Sequence, residues 1–356
     1  MTKILYISPV LWDQLDLSRA PLEFRAFHRG SENKTKRVRV HETGEPDVMV
    51  VEEVEALDPA EGQALVRLDA IGVNFIDVNQ RSGAYPISLP FTPGTEGAGV
   101  VEAVGPGVSE VSPGDRVGYA GVPAAYSQYA TAKASRLIPL PDAVGTDLAA
   151  AVMLQGMTAH YLINSICSFD EGDWCLIHAA AGGVGLLLTQ LAKRRGLQVI
   201  GTASTAEKAD RARVAGVDHA INYTQEDFAV AVHELTHGEG IRAVFESVGK
   251  STFDKSFDCV SKRGYMVLFG QASGPVDPVD IRRLQRGGSL FLTRPTLVDY
   301  TSTRDELLWR GQEILDLVAT GDLEVNIYER YPLTEAPAAH QALQNRQTTG
   351  KLLLIP

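Results

Sequence analysis

The chain is poor in cysteine, and the placement of the few it has excludes more than their number does. Its 356 residues include three, Cys167, Cys175 and Cys259, with no CxxC pair among them. An odd count at these spacings fits neither a disulfide framework nor a cysteine zinc site. A reducing, cytoplasmic compartment is therefore expected, with all three as small packed residues. Long apolar runs are absent too: none approaches the roughly 20 residues that a membrane helix needs. The N-terminal Ile4-Leu5-Tyr6-Ile7 is too short for the apolar part of a signal peptide and leads into Pro9. No membrane partner is expected. Positive charge is also scarce. Lys and Arg number 33 against 44 Asp and Glu, for a formal net charge of −11, the opposite of a surface that binds phosphate backbones, so no nucleic acid is expected.

Core material is plentiful. With 44% hydrophobic and 22% charged residues, the chain has the composition of a globular protein, and its length suggests two domains. Residues 1–36 stand apart. They carry Arg19, Arg25 and Arg29 and end in the polar run Gly30-Ser31-Glu32-Asn33-Lys34-Thr35-Lys36, which reads as a linker. This N-terminal extension is expected to be a disordered appendage, a targeting segment, or sequence left by start-site choice.

From Arg37 to Pro141 the texture is β-rich. Arg37-Val38-Arg39-Val40 and Ala64-Leu65-Val66-Arg67-Leu68 alternate with the period of half-buried strands, and turn signals such as Pro93-Gly94 and Pro113-Gly114-Asp115 are dense. A helix is predicted over residues 148–165. Strands and helices then alternate: strands at 174–178, 198–202, 220–221, 243–245, 265–269 and 289–293, with helices at 183–195 and 206–215. Such alternation implies βαβ units and a parallel sheet. A long amphipathic helix is predicted over 301–319, and Lys351 to Ile355 reads as a last strand returning to the first domain. The expected fold class is α/β: a β-rich domain over 37–160 and 298–356, and a doubly wound parallel-sheet domain over 161–297.

The sharpest local signal is His178-Ala179-Ala180-Ala181-Gly182-Gly183-Val184-Gly185, between a predicted strand and helix. This is the setting of a dinucleotide fingerprint. Gly182 lets backbone approach a pyrophosphate, Gly185 lets the helix pack closely on the sheet, and the helix N-terminus offers unpaired N–H groups. Ala180 stands at the first glycine position. At the end of the next strand, where an NAD site carries a carboxylate for the ribose 2′-OH, the chain has Gly201-Thr202-Ala203-Ser204-Thr205, followed by Lys208. Hydroxyls with a nearby ammonium suit a 2′-phosphate, so the expected cofactor is NADPH.

Further motifs stand in order: Asn74-Phe75-Ile76-Asp77, Arg81-Ser82-Gly83-Ala84-Tyr85-Pro86, Pro93-Gly94-Thr95-Glu96-Gly97-Ala98-Gly99, then the glycine loop. Ile221-Asn222-Tyr223, Glu246-Ser247-Val248-Gly249 and Thr293-Arg294-Pro295 follow. From about Lys36 to Pro356 this series resembles the zinc-independent quinone oxidoreductase (zeta-crystallin-like) branch of the medium-chain dehydrogenase/reductase superfamily. The resemblance implies a GroES-like catalytic domain, an inserted Rossmann domain and a homodimer joined through Rossmann-edge strands. Zinc-dependent members place a Cys where Asn74 stands and a His where Thr95 stands, and neither Asn nor Thr is a usual zinc ligand. No metal is expected.

Residue roles follow from the resemblance. Asn74, Asp77 and Tyr85 are the candidate catalytic residues, with Asn74 able to donate to an acceptor carbonyl; taken alone, Asn74 and Asp77 read as turn residues. The cofactor set is Phe75, Gly182, Gly183 and Val184, then Ser204, Lys208 and Tyr223 around the 2′-phosphate and ribose. Ser247, Val248, Phe269, Gly270 and Gln271 line the path to the nicotinamide, and Thr293, Arg294, Pro295, Leu297 and Arg346 close it. The pattern is broken at Gln155, where close relatives carry a lysine, and at Asn79, where they carry a tyrosine; these departures bear on the substrate. His160 and His178 lie in apolar runs and read as satisfied core residues.

The expected activity is metal-free hydride transfer from NADPH to a quinone, whose reduced form is aromatic and which needs no Lewis acid. Reduction of an enone or enal C=C bond is the alternative, with Tyr85 as candidate proton donor. A non-catalytic NADPH-binding role, crystallin-like or RNA-binding, is the alternative of another class, and the negative charge weighs against RNA.

Overall fold

The polar run ahead of Arg37 does not stay irregular: strand β1 (Lys34–Val40) begins inside it, with Thr35, Val38 and Val40 buried and the Lys36 N–H bonded to the Gln128 side chain. The computed structural model describes residues 34–55, 57–346 and 348–356, so the rest of the expected N-terminal extension lies outside the described residues. β1 pairs with β2 (Met49–Glu55) in a two-stranded ribbon.

Next come β3 (Gln63–Val73), helix α1 (Phe75–Arg81), β4 (Glu96–Val104), β5 (Arg116–Ala120), β6 (Tyr129–Lys133) and β7 (Ile138–Pro139). Helix α2 (Thr146–Ser165) leads into the second sheet, which is laid down as β8 (Trp174–Ile177), α3 (Gly183–Arg194), β9 (Gln198–Ala203), α4 (Ala206–Val214) and β10 (His219–Asn222). It continues through α5 (Phe228–Leu235), β11 (Ile241–Glu246), α6 (Phe253–Phe257), β12 (Val260–Leu268), α7 (Arg282–Arg286) and β13 (Phe291–Thr293). The chain returns through α8 (Arg304–Ala319), β14 (Ile327–Pro332), α9 (Ala336–Gln344) and β15 (Lys351–Ile355).

The second sheet has the order β10-β9-β8-β11-β12-β13, and every neighbouring pair in it is parallel. This is the doubly wound order, in which the chain reverses its direction of growth beside the first strand and opens a crevice at the carboxyl ends of the strands. The first sheet has the order β14-β15-β3-β4-β5-β7, with β6 also on β3. β15 pairs antiparallel with β3, Leu353 opposite Gly72, so the tail strand returns as expected.

Helix α2 is apolar nearly all round, with Ala149, Ala150, Ala151, Val152 and Met153 buried beside Met157, Tyr161 and Leu162. A helix of that kind belongs in an interior. One apolar cluster accordingly runs from Ala98 and Ala120 of the first sheet, through Ala150 and Met157, to Ile177 and Phe245 of the second. Cys175 and Cys259 are buried and Cys167 is partly so, all as free thiols. Burial pushes the Cys167 and Cys259 thiols up to about 12. Among the described residues no helix is long and apolar enough to cross a membrane.

Candidate active site

After β8 the chain turns sharply. Ala179 adopts a left-handed φ of 51° and its carbonyl accepts the Gly182 N–H at 2.8 Å. Helix α3 then starts so close to the strand that a Cβ on Gly185 would lie 2.4 Å from the Ala179 carbonyl oxygen and 2.8 Å from the Ala180 Cα. Only glycine fits. Gly182, Gly183 and Val184 are partly exposed at the end of α3, where first-turn N–H groups have no partner inside the helix.

The neighbouring strand ends without an acid. Ser204 and Thr205 follow β9, and Thr205 Oγ1 caps α4 by accepting the Lys208 N–H at 3.2 Å. The Lys208 ammonium reaches back to donate to the Arg346 carbonyl at 2.5 Å, while Arg346 Nη2 donates to the Ala272 carbonyl at 3.4 Å. Two cations are thus held side by side, and neither has a carboxylate ion-pair partner among the described residues. Burial, then the nearby Arg346, holds Lys208 below the usual lysine range. Tyr223 is brought alongside by its N–H bond to the Ala203 carbonyl at 3.2 Å.

The ends of β11 to β13 complete this side. Buried Glu246 accepts the N–H groups of Val248 at 2.6 Å and Gly249 at 2.9 Å, which fixes the turn that carries Ser247 and Val248. Ser247 Oγ donates to the His178 carbonyl at 3.2 Å, so the β11 end is tied to the β8 end. Gly270 packs on Ser247, since a Cβ there would meet the Ser247 carbonyl oxygen at 2.7 Å. The Gly270 N–H bonds to the Glu246 carbonyl, and Phe269 and Gln271 flank it. Arg294 donates to Gln271 Oε1 at 2.8 Å, while Thr293, Pro295 and Leu297 are partly buried around the end of β13.

Across the crevice, β3 delivers Asn74 to the N-terminus of α1. Asn74 is not a turn residue; it precedes a helix whose third residue, Asp77, accepts the Asn74 backbone N–H at 2.9 Å. The Asn74 amide points inward. Its Nδ2 donates to Glu96 Oε2 at 2.8 Å and to the Gly72 carbonyl at 3.4 Å; its Oδ1 accepts from Lys351 Nζ at 2.7 Å and Gln155 Nε2 at 3.3 Å. The expected donor role of Asn74 toward an acceptor carbonyl therefore meets an amide whose N–H groups are both engaged. Glu96 is fully buried, and its other oxygen accepts the Leu154 N–H of α2 at 2.6 Å. Gly72 makes room for this, because a Cβ would collide with that carboxylate.

Behind Asn74 the network continues. Tyr126 donates to Asp77 Oδ2 at 3.2 Å and lies 2.9 Å from His340 Nε2, and all three side chains are buried. Burial raises Asp77 from 3.8 to about 7, with Glu96 adding to it against the Asn74 N–H and Lys351. Burial likewise lowers His340 to about 3, with Arg81 adding to it. Tyr85 is partly exposed, its N–H bonded to the Asn79 carbonyl, and Phe75 is 40% exposed. No hydrogen bond joins either side chain to the other candidates.

His160 and His178 have both ring nitrogens satisfied. His178 lies 2.9 Å from Thr202 Oγ1 and from Ser256 Oγ; His160 lies 3.1 Å from Glu313 Oε2 and 3.0 Å from Arg310 Nη1. They are core residues, as their apolar settings suggest. Sequence reasoning missed Glu96 and Lys351 as partners of Asn74, and Tyr126 and His340 as the groups behind Asp77. Glu96 stood in a quoted motif, but Lys351 looks like the polar edge of an apolar strand until β15 is paired with β3.

Comparison with known proteins agrees with this geometry. Residues 60–142 match the family described as alcohol dehydrogenase GroES-like domain, and residues 183–306 the one described as zinc-binding dehydrogenase. Quinone oxidoreductase 1 of Escherichia coli is 44% identical over 324 residues, covering 90% of this chain and 99% of the relative. The chain belongs to the quinone oxidoreductase family. Its superfamily is that of the medium-chain dehydrogenase/reductases, with the GroES-like and Rossmann domains those folds combine. A crystal structure of the Escherichia coli quinone oxidoreductase complexed with NADPH superposes with a TM-score of 0.88 at 43% identity, over 90% of this chain and all of that one. Another family relative, the 2-haloacrylate reductase of a Burkholderia species, is 43% identical over 89% of this chain and 98% of its own length.

Proposed function

We propose that this chain is an NADPH-dependent oxidoreductase that reduces a quinone without a metal. The observation that carries the reading is the crevice itself: on one wall a glycine turn whose helix starts too close to the strand for a side chain at Gly185, and Lys208 beside Arg346 at a strand end that has no acid. The residues fit the cofactor. Two adjacent cations with no carboxylate ion-pair partner among the described residues favour an anion, and the open side of Gly182 lets a pyrophosphate approach the backbone. When bound, NADPH supplies the hydride.

The chain's own part is to bind and orient. Gly182, Gly183 and Val184 hold the pyrophosphate through the α3 N-terminus. Ser204, Lys208, Tyr223 and Arg346 hold the 2′-phosphate and ribose. Ser247, Val248, Phe269, Gly270 and Gln271 line the way to the reacting end, and Phe75, Thr293, Arg294, Pro295 and Leu297 close it. Asn74 and Asp77 set the shape of the opposite wall, with Tyr85 at its rim. Holding donor and acceptor in register supplies much of the acceleration in such a reaction, and a quinone needs no further activation.

The metal-free reading rests on residues. One of the matched families is described as zinc-binding, but Asn74 and Thr95 stand where zinc-dependent members of the superfamily carry a Cys and a His, and the Lys351 ammonium sits 2.7 Å from Asn74 Oδ1. A divalent cation there would face a like charge. A cytoplasmic setting and a homodimer belong to the same reading. Three free cysteines support the first. β13 supports the second: it ends its sheet, and Phe291 on it is 52% exposed. Domain limits at 160/161 and 297/298 belong to it too: they enclose the second sheet, which runs from Trp174 to Thr293, and the first of them falls inside α2.

The 2-haloacrylate reductase relative favours a second reading, reduction of an activated C=C bond, for which the Tyr85 hydroxyl, with no hydrogen bond to the described residues, is the candidate proton donor. NADPH consumption with a naphthoquinone and with a simple enone separates the two. Turnover with the quinone supports the first reading; turnover with the enone alone replaces it with the second.

A further inference from the structure

The Asn74 side chain has no hydrogen-bonding capacity left. An amide offers two N–H donors and two acceptor sites, and here Glu96, Gly72, Lys351 and Gln155 take all four. Nor can the amide turn over. An ammonium only donates and a carboxylate only accepts, so the oxygen must face Lys351 and the nitrogen Glu96; the reverse would set N–H against ammonium and C=O against carboxylate. Whatever enters the crevice at this point cannot receive a hydrogen bond from Asn74.

Gln155 is placed differently. It lies on α2, partly exposed, and one N–H of its amide is spent on Asn74 Oδ1. Its other N–H and its Oε1 have no partner among the described residues. The amide lies flat against the first residue of α3: a Cβ on Gly183 would meet Gln155 Oε1 at 2.1 Å, Cδ at 2.6 Å and Nε2 at 2.7 Å. Gln155 thus spans the gap between the end of β3 and the helix N-terminus expected to hold phosphate.

We propose that Gln155, with Asn74 behind it as a positioning residue, donates a hydrogen bond to an oxygen of the bound dinucleotide, at its pyrophosphate or the adjoining ribose. The assignment rests on the reading of the crevice as an NADPH site. It also explains why Gly183 carries no side chain: the volume a Cβ would fill belongs to Gln155.

Equilibrium binding of NADPH, followed by nucleotide fluorescence, tests it without reference to turnover. Gln155→Met keeps the length and loses the donor, and is expected to weaken NADPH about tenfold, the worth of a hydrogen bond to a charged group. Gln155→Glu sets a carboxylate beside the same oxygen and is expected to weaken it more. Gly183→Ala displaces Gln155, so its effect on binding should shrink when Gln155 is already Ala, a coupling that a double-mutant cycle reads. Far-UV circular dichroism confirms that each variant is folded. Binding within twofold of wild type for both Gln155 variants, with Gly183→Ala equally costly in both backgrounds, overturns the proposal. Failure of the wild-type protein to bind NADPH would overturn the cofactor reading beneath it instead.

Discussion

The Lys351 ammonium on the last strand lies 2.5 Å from the carboxylate of Glu96 on β4, and neither side chain reaches solvent. The pair closes a circuit through Asn74. Charges so placed are costly to desolvate and are tolerated when hydrogen bonds offset that cost; here the Asn74 amide bonds to both partners and the Leu154 N–H to the other Glu96 oxygen.

Removing one partner alone strands the other. Lys351→Met is expected to lose about 3–5 kcal/mol of stability in urea unfolding. Adding Glu96→Gln to that variant, which leaves a neutral acceptor for Leu154, should recover a large part of the loss. A double variant less stable than Lys351→Met would contradict the circuit.

Two buried groups set the acid behaviour in opposite directions. Asp77 titrates near 7 when folded against 3.8 ordinarily, so between about 4 and 7 the folded state holds the proton and stability falls as pH rises. His340 titrates near 3 when folded against 6.5, so the unfolded state holds the proton below 6.5 and stability falls as pH drops from there. Asn74, Tyr126, Lys351 and Glu96 face Asp77, and Arg81 faces His340. Denaturation midpoints from pH 4 to 7.5 should show Asp77→Asn losing stability on acidification more steeply than wild type. His340→Gln should gain stability over the same descent. Parallel curves for all three proteins would show that neither group carries this linkage.

The cation pair is expected to decide between nucleotides. Lys208→Ala should raise the KM for NADPH about tenfold and leave that for NADH nearly unchanged, because only NADPH carries the 2′-phosphate. An equal rise for both nucleotides would place Lys208 elsewhere in the site.

Glycines in the loop should differ in their tolerance. Gly185→Ala sets a methyl against backbone on two sides and is expected to cost about 1–3 kcal/mol in stability. Gly183→Ala meets only the Gln155 side chain, which can move, and should stay close to wild type in the same unfolding measurement.

Much of this was legible in the chain. The strand, glycine turn and helix from Trp174 to Arg194 could be read because period and punctuation are local properties. So could the missing acid after β9. Helix α1 was hidden because Asn74-Phe75-Ile76-Asp77 is too short to show a period. Helix α9 and the buried circuit were hidden for another reason. Lys351 and Glu96 are 255 residues apart, and nothing in either neighbourhood announces a partner. Only the pairing of β15 with β3 brings Lys351 onto Asn74, and that pairing also commits the Asn74 amide inward and passes the open donor to Gln155.

A metal-free, NADPH-selective reductase of quinones has a simple kinetic signature. It is read from initial rates of NADPH and NADH oxidation with a naphthoquinone, each with and without a strong chelator. Turnover should prefer NADPH and be indifferent to the chelator. Loss of activity on chelation, restored by added zinc, or an equal rate with NADH, would contradict it.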